Sequence, residues 1–185
     1  MKSLLFPSLL AALAAGLTAA ASGAGPSALH YAPLKYQPIC SHGQALVDME
    51  MAKHRELKLI TLHATPPGVP ADANEQRCIL CSSIGRFGKP DAGPDADVFK
   101  KNQEFIELTK TAPPGTNPGG PTAPPKYEVL TPLLDRSGAS IGIAVIVFLY
   151  KEGDDLAKLH QIAMDIRDEL RQRIASKDDL LRPAS

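Results

Sequence analysis

Residues 127 to 174 constrain the fold of this chain more than any other stretch. Tyr127 to Leu134 reads as a strand, and Ser140 to Tyr150 (SIGIAVIVFLY) as a second one, β-branched and apolar on both faces. A strand of that kind belongs at the centre of a sheet. Asp135-Arg136-Ser137-Gly138 between them is turn chemistry and sets their register. Pro132 cannot donate to a ladder, so it marks an edge or a bulge. A long helix then starts near Asp154 or Asp155 and runs to about Ser176. Leu156, Leu159, Ala163, Ile166, Leu170 and Ile174 make one row along it, and Lys158, Asp165, Asp168 and Arg171 keep much of the rest polar. Such a helix covers a sheet.

Upstream, Gly43 to Leu57 is free of proline and places Leu46, Met49, Lys53 and Leu57 on one helical row. Lys58 to Ala64 alternates as a strand, with Leu59, Thr61 and His63 facing one way and Ile60, Leu62 and Ala64 the other. A turn-forming segment, TPPGVPADANEQ, leads to another strand, Arg77 to Ile84. The glycines of Gly85 to Pro90 then permit positive φ. Asp95 to Thr109 is expected to be a helix capped by Asp95 or Asp97. Thr111 to Pro125 holds six prolines and three glycines, and reads as a mobile surface loop. This order is not a βαβ repeat. It specifies an α+β domain, an antiparallel sheet with helices packed on one face, over residues 43–176.

The ends carry a different message. Lys2 followed by the apolar, alanine-rich run Leu4 to Ala21, with small residues to Ala24, has the form of a cleaved secretion signal over residues 1–24. Retention of that run as an N-terminal anchor is the alternative. Residues 25–42 form an extended lead-in and 177–185 a tail. The chain has 20 basic and 20 acidic residues, and losing Lys2 with the signal leaves it near neutral. That balance lacks the basic footprint of nucleic-acid binding. The expectation is a periplasmic or secreted domain with no membrane span after cleavage.

The strand-to-loop segment SSIGRFGKP, the acidic stretch and helix after it, and KYEVLTPLLDRSGASIGIAVIVF together resemble the periplasmic PAS/Cache-type sensor domains. The late hairpin pattern is carried by Pro132, Leu133, Asp135, Gly138, Ile141 and Gly142. The resemblance spans roughly residues 43 to 175 and rests on structural turns. It implies a PAS/Cache-like antiparallel sheet flanked by N- and C-terminal helices, with a small-molecule pocket between the sheet and the loops after the second strand. The chain departs from the usual sensor in that no transmembrane helix, kinase or methyl-accepting region follows, so the expectation is a stand-alone sensor-type domain that passes any signal to a separate periplasmic or membrane protein.

Arg86 and Lys89 lie on the glycine-rich loop, where they can meet an anionic ligand. Ser82 and Ser83 offer hydroxyls to the same region. Tyr127 enters its strand where it can close a pocket, and His63 ends the first strand as a ligand contact or a hydrogen-bonded structural histidine. Each has an ordinary reading too: solvated charges, satisfied hydroxyls, core rings.

Cys40, His42, Cys78 and Cys81 have the residue types of a zinc or copper site, and a metal or haem carrier is one alternative function. Geometry argues against it. Along an extended strand Cys78 and Cys81 point to opposite faces, with Cα atoms about 10 Å apart, beyond the roughly 7 Å reach of a disulfide. In an oxidising compartment, Cys40 bridged to one of the pair is a structural alternative, and buried free thiols another. No cofactor is expected. Neither a nucleophile elbow nor a zinc-hydrolase or phosphate-binding motif is present, so nothing supports an enzyme. A structural or interaction module that fills its own cavity is the remaining alternative.

Overall fold

The computed structural model describes residues 40–69, 77–109 and 124–182. The expected signal, most of the lead-in and all but the last two residues of the proline-rich loop expected over 111–125 lie outside them.

Helix α1 (Ser41–Lys53) precedes strands β1 (Leu57–Ala64) and β2 (Cys78–Ser82). Helix α2 (Pro94–Lys101) and strand β3 (Phe105–Thr109) follow, then β4 (Lys126–Leu134), β5 (Ser140–Leu149), α3 (Leu156–Arg173) and a short α4 (Lys177–Leu181). The five strands form one antiparallel sheet in the order β2-β1-β5-β4-β3. The doubly apolar β5 sits in the middle, as its composition requires. This α+β layout, with helices before and after the sheet, is consistent with a PAS/Cache-like arrangement.

Three expectations change. The helix expected over 95–109 stops at Lys101, because Asn102 takes a left-handed conformation (φ 49°) and closes it. Phe105 to Thr109 then pairs with β4 as a fifth strand. The C-terminal segment is not a loose tail. Ser176 caps α4 by accepting from the Asp179 amide, and Leu180 and Leu181 are buried against the main core. Finally, the helices do not share one face: α2 packs on the side opposite to α1, α3 and α4.

The alternation of β1 decides which side is which. Ile60, Leu62 and Ala64 join Val129, Leu133, Ala144, Ile146 and Phe148 in the larger core, closed by Leu46 and Val47 of α1, and by Ala163, Ile166 and Leu170 of α3. Leu59 belongs to the second cluster, with Leu130, Ile143, Val145 and Val147 under Val98 and Phe99 of α2.

The turn at 135–138 is held by its first residue. The Asp135 carboxylate accepts from the Ser137 amide and hydroxyl and from the Ala139 amide, at 2.6 to 3.0 Å. The Ser137 hydroxyl above all lowers its pKa. Gly142 is fixed by a close approach. A Cβ there would run into the carbonyl oxygen of His63 on the neighbouring strand, so only glycine lets β1 and β5 close at that point.

Candidate functional site

β3 begins at Phe105, which pairs with Leu130, so residues 131 to 134 of β4 run on past the end of their neighbour. Pro132 lies in this uncovered stretch, and a register shift falls between Leu133 and Leu134. The proline thus marks both an open edge and the approach to a bulge. Helix α3 crosses the same stretch, and the chain at Asn102 and Glu104 forms the third wall. The result is a cleft of about 310 Å³. Its apolar surface comes from Pro132, Leu134 and Met164, and its polar groups from Asn102, Glu104, Thr131, His160 and Arg167.

Three of those groups are already paired: His160 Nε2 lies 3.1 Å from Glu104 Oε2, and Arg167 turns to Asp168 at 2.8 Å. Thr131 is different. It is fully buried, and its hydroxyl has no hydrogen-bond partner among the described residues. A buried hydroxyl left unpaired costs about 1–3 kcal/mol, which a ligand or an ordered water in the cleft would relieve.

Where the resemblance puts a pocket, the described residues form a polar network. His63 Nδ1 lies 2.8 Å from Asp91 Oδ1, its Nε2 lies 2.9 Å from the Thr61 hydroxyl, and Arg77 Nε donates to Asp91 Oδ2 at 2.9 Å. The Arg77 guanidinium, 1% exposed, also stacks 3.8 Å above the Phe99 ring. The loop after β2 returns along its outer edge. The Asp91 amide donates to the Arg77 carbonyl, and the Ile79 amide to that of Lys89, both at 3.0 Å. This covers what would otherwise be an open sheet edge.

The residues singled out from sequence therefore divide. Ser82 and Thr61 face each other in register, and His63 lies on the same side. The Ser82 hydroxyl accepts from the Ile84 and Arg86 amides, and the Ser83 hydroxyl accepts from the Ile60 amide. Both serines hold the loop in place. Arg86 and Lys89 are exposed on it. Tyr127 is buried on the opposite face, packed against Phe148, where burial raises the pKa of its hydroxyl. It shares no site with His63. None of the six lines the β4–α3 cleft, and only the proline in a strand pointed there.

The cysteine and histidine set is not assembled as a metal site. His42 Nε2 sits 3.8 Å from Asp179 of α4. Burial pushes the Cys40 and Cys78 thiols up to about 12 and raises Cys81 as well. Among the described residues, the grouping with metal-like spacing is His63, Asp91 and Asp95, whose ligand atoms lie within 4.8 Å of one another. There the Arg77 guanidinium already matches the Asp91 charge, and the Asp95 carboxylate accepts from the Ala92 amide.

Cys78 and Cys81 do not point to opposite faces. In the β1–β2 ladder Leu62 pairs with Cys81 and His63 with Ile79, so Leu80 is an extra residue in a bulge. The bulge restores parity. Cys78 opposite Ala64 and Cys81 opposite Leu62 both enter the larger core beside Cys40.

Among the described residues no helix is long and apolar enough to cross a membrane. No protein-family model matches the chain, and no curated protein matches it in sequence.

Proposed function

We propose that this chain is an exported, sensor-type domain that captures a small molecule in the cleft between β4 and α3. The observation that carries the reading is Thr131: a buried hydroxyl without a partner among the described residues, lining a cavity large enough for a small metabolite. Around it, apolar surface from Leu134 and Met164 would take the body of the ligand. At the rim, Arg167 and His160 would take an acidic group only by exchanging their present carboxylate partners, Asp168 and Glu104. The leader-like start at Lys2 supports export, and the sheet order and the late hairpin support the PAS/Cache-like assignment.

The test is native mass spectrometry of the mature chain purified from periplasm, followed by thermal-shift screening with small carboxylic acids. A co-purifying organic mass, or a shift that Thr131→Val abolishes while leaving the unliganded melting temperature within a few degrees, supports the reading. A bare chain that no acid in the panel stabilises would overturn it.

A second reading has its own observation. The edge strand β3 exposes Phe105 (41%) and Ile106 (42%), the kind of surface an interaction module would use. A concentration-dependent mass that Phe105→Lys abolishes would favour it.

A further inference from the structure

The three cysteines meet under the first turn of α1. Cys40 is the residue from which that helix starts, and the β2 bulge turns Cys78 and Cys81 to the same side. All three are fully buried thiols in one cluster. The contacts are not equal. Cys81 Sγ lies 3.9 Å from the carbonyl oxygen of Cys40. A Cβ built on Gly43 would come within 2.6 Å of the same sulfur. The glycine is what allows the helix to sit directly on Cys81. Cys78 lies at the far end of the strand, at the bridge to Pro90.

We infer that Cys40 and Cys81 are the pair that cross-links when the chain folds under oxidising conditions, tying the start of α1 to β2, while Cys78 remains a buried thiol. The exchange balances with an oxidised thiol compound such as glutathione disulfide. One cysteine thiolate attacks a glutathione sulfur and releases one glutathione thiolate. The other then attacks the resulting mixed disulfide, forming the Cys40–Cys81 bond and releasing the second. Two protein protons end on two glutathione thiols. Thiolates are the reacting species, so burial in the finished core disfavours the step. The bond therefore forms while α1 is still undocked, and the core then shields it. Export would supply the oxidant; the choice of Cys81 over Cys78 rests on its contact with the Cys40 carbonyl and on the room that Gly43 leaves for its sulfur.

The experiment uses the mature chain, so that it does not depend on export. The protein is refolded in a glutathione redox buffer, digested without reduction and mapped by mass spectrometry, alongside Cys78→Ser. Expected are a mass lower by two hydrogens, a Cys40–Cys81 linked peptide in both proteins, and a Cys78 that reacts with iodoacetamide only after denaturation. A link involving Cys78, or three alkylatable cysteines after oxidative refolding, would overturn the inference. The wild-type map decides the pairing even if the Cys78→Ser protein does not fold.

Discussion

On the side of the sheet carrying Ile60, Leu62, Ile146 and Phe148, three helices bury one continuous apolar core. On the side carrying Leu59, Val145 and Val147, a single eight-residue helix covers a small patch, and a buried Arg77–Asp91–His63 network ties the flanking loop down. The first face is closed by apolar area, which is forgiving of detail. The second depends on a few charge-assisted contacts, where removing one partner strands another. The candidate ligand cleft lies where β3 ends, at the margin of the first face: Met164 of α3 lines it and also packs against the larger core.

The largest effect should come where the two faces share a backbone contact. Gly142→Ala forces a methyl against the His63 carbonyl, and backbone on both strands must move. The expected outcome is loss of more than about 4 kcal/mol, in the range of exceptional substitutions, seen as a missing cooperative transition in urea. A well-folded variant would show that β1 can shift independently of β5.

Phe148→Ala on the helical face should cost about 3–5 kcal/mol. Val145→Ala on the other face should cost about 1–2 kcal/mol. Equal losses in urea denaturation would break the comparison. The polar half is tested by Asp91→Ala, which leaves the guanidinium of Arg77 buried without its carboxylate and should cost about 3 kcal/mol. Replacing both partners, as Arg77→Met with Asp91→Leu, should cost less than Asp91→Ala alone. A simply additive pair would mean the network is not the unit that closes this face.

The larger face was legible because its signals are local. The α3 row, the β5 run and the 135–138 turn each declare themselves within a few residues, and β1 alternation sorts correctly into two sides. What was not legible depended on one residue or on distant pairing. Asn102 ends α2 early, but Phe105 and Ile106 continue a helical row well enough to hide the fifth strand. The Leu80 bulge reverses the parity on which the argument about Cys78 and Cys81 rested. In the C-terminal segment, Ser176 and Asp179 ahead of Leu180-Leu181 were a readable cap and anchor. The His63–Asp91 contact joins residues 28 positions apart, and no spacing rule announces it. The cleft depends on where β3 stops relative to β4, so an unrecognised β3 left it invisible.

The smallest effect sharpens the comparison from within the apolar face, which is not wholly apolar. Glu50 of α1 is fully buried, and among the described residues neither carboxylate oxygen has a hydrogen-bond partner; His54 Nε2 is 3.6 Å away. Burial raises its pKa first, and the negative charge of Glu169 raises it further. Lys53, His54 and Arg173 pull the other way and do not cancel the rise. The carboxyl is thus held above its unfolded value, so the fold favours its protonated form. Its contribution is complete at pH below the ordinary carboxylate range and is lost as pH rises through the raised value. Glu50→Gln removes that loss. It should stabilise the protein at pH 7 by about 1 kcal/mol, the scale of one unmet buried polar group, and the gain should vanish near pH 4, about the ordinary glutamate value. Thermal melts of both proteins across that range give the answer. A gain that does not change with pH would mean that the charge on Glu50 is not what the α1–α3 contact resists, and that packing alone sets the stability of the helical face.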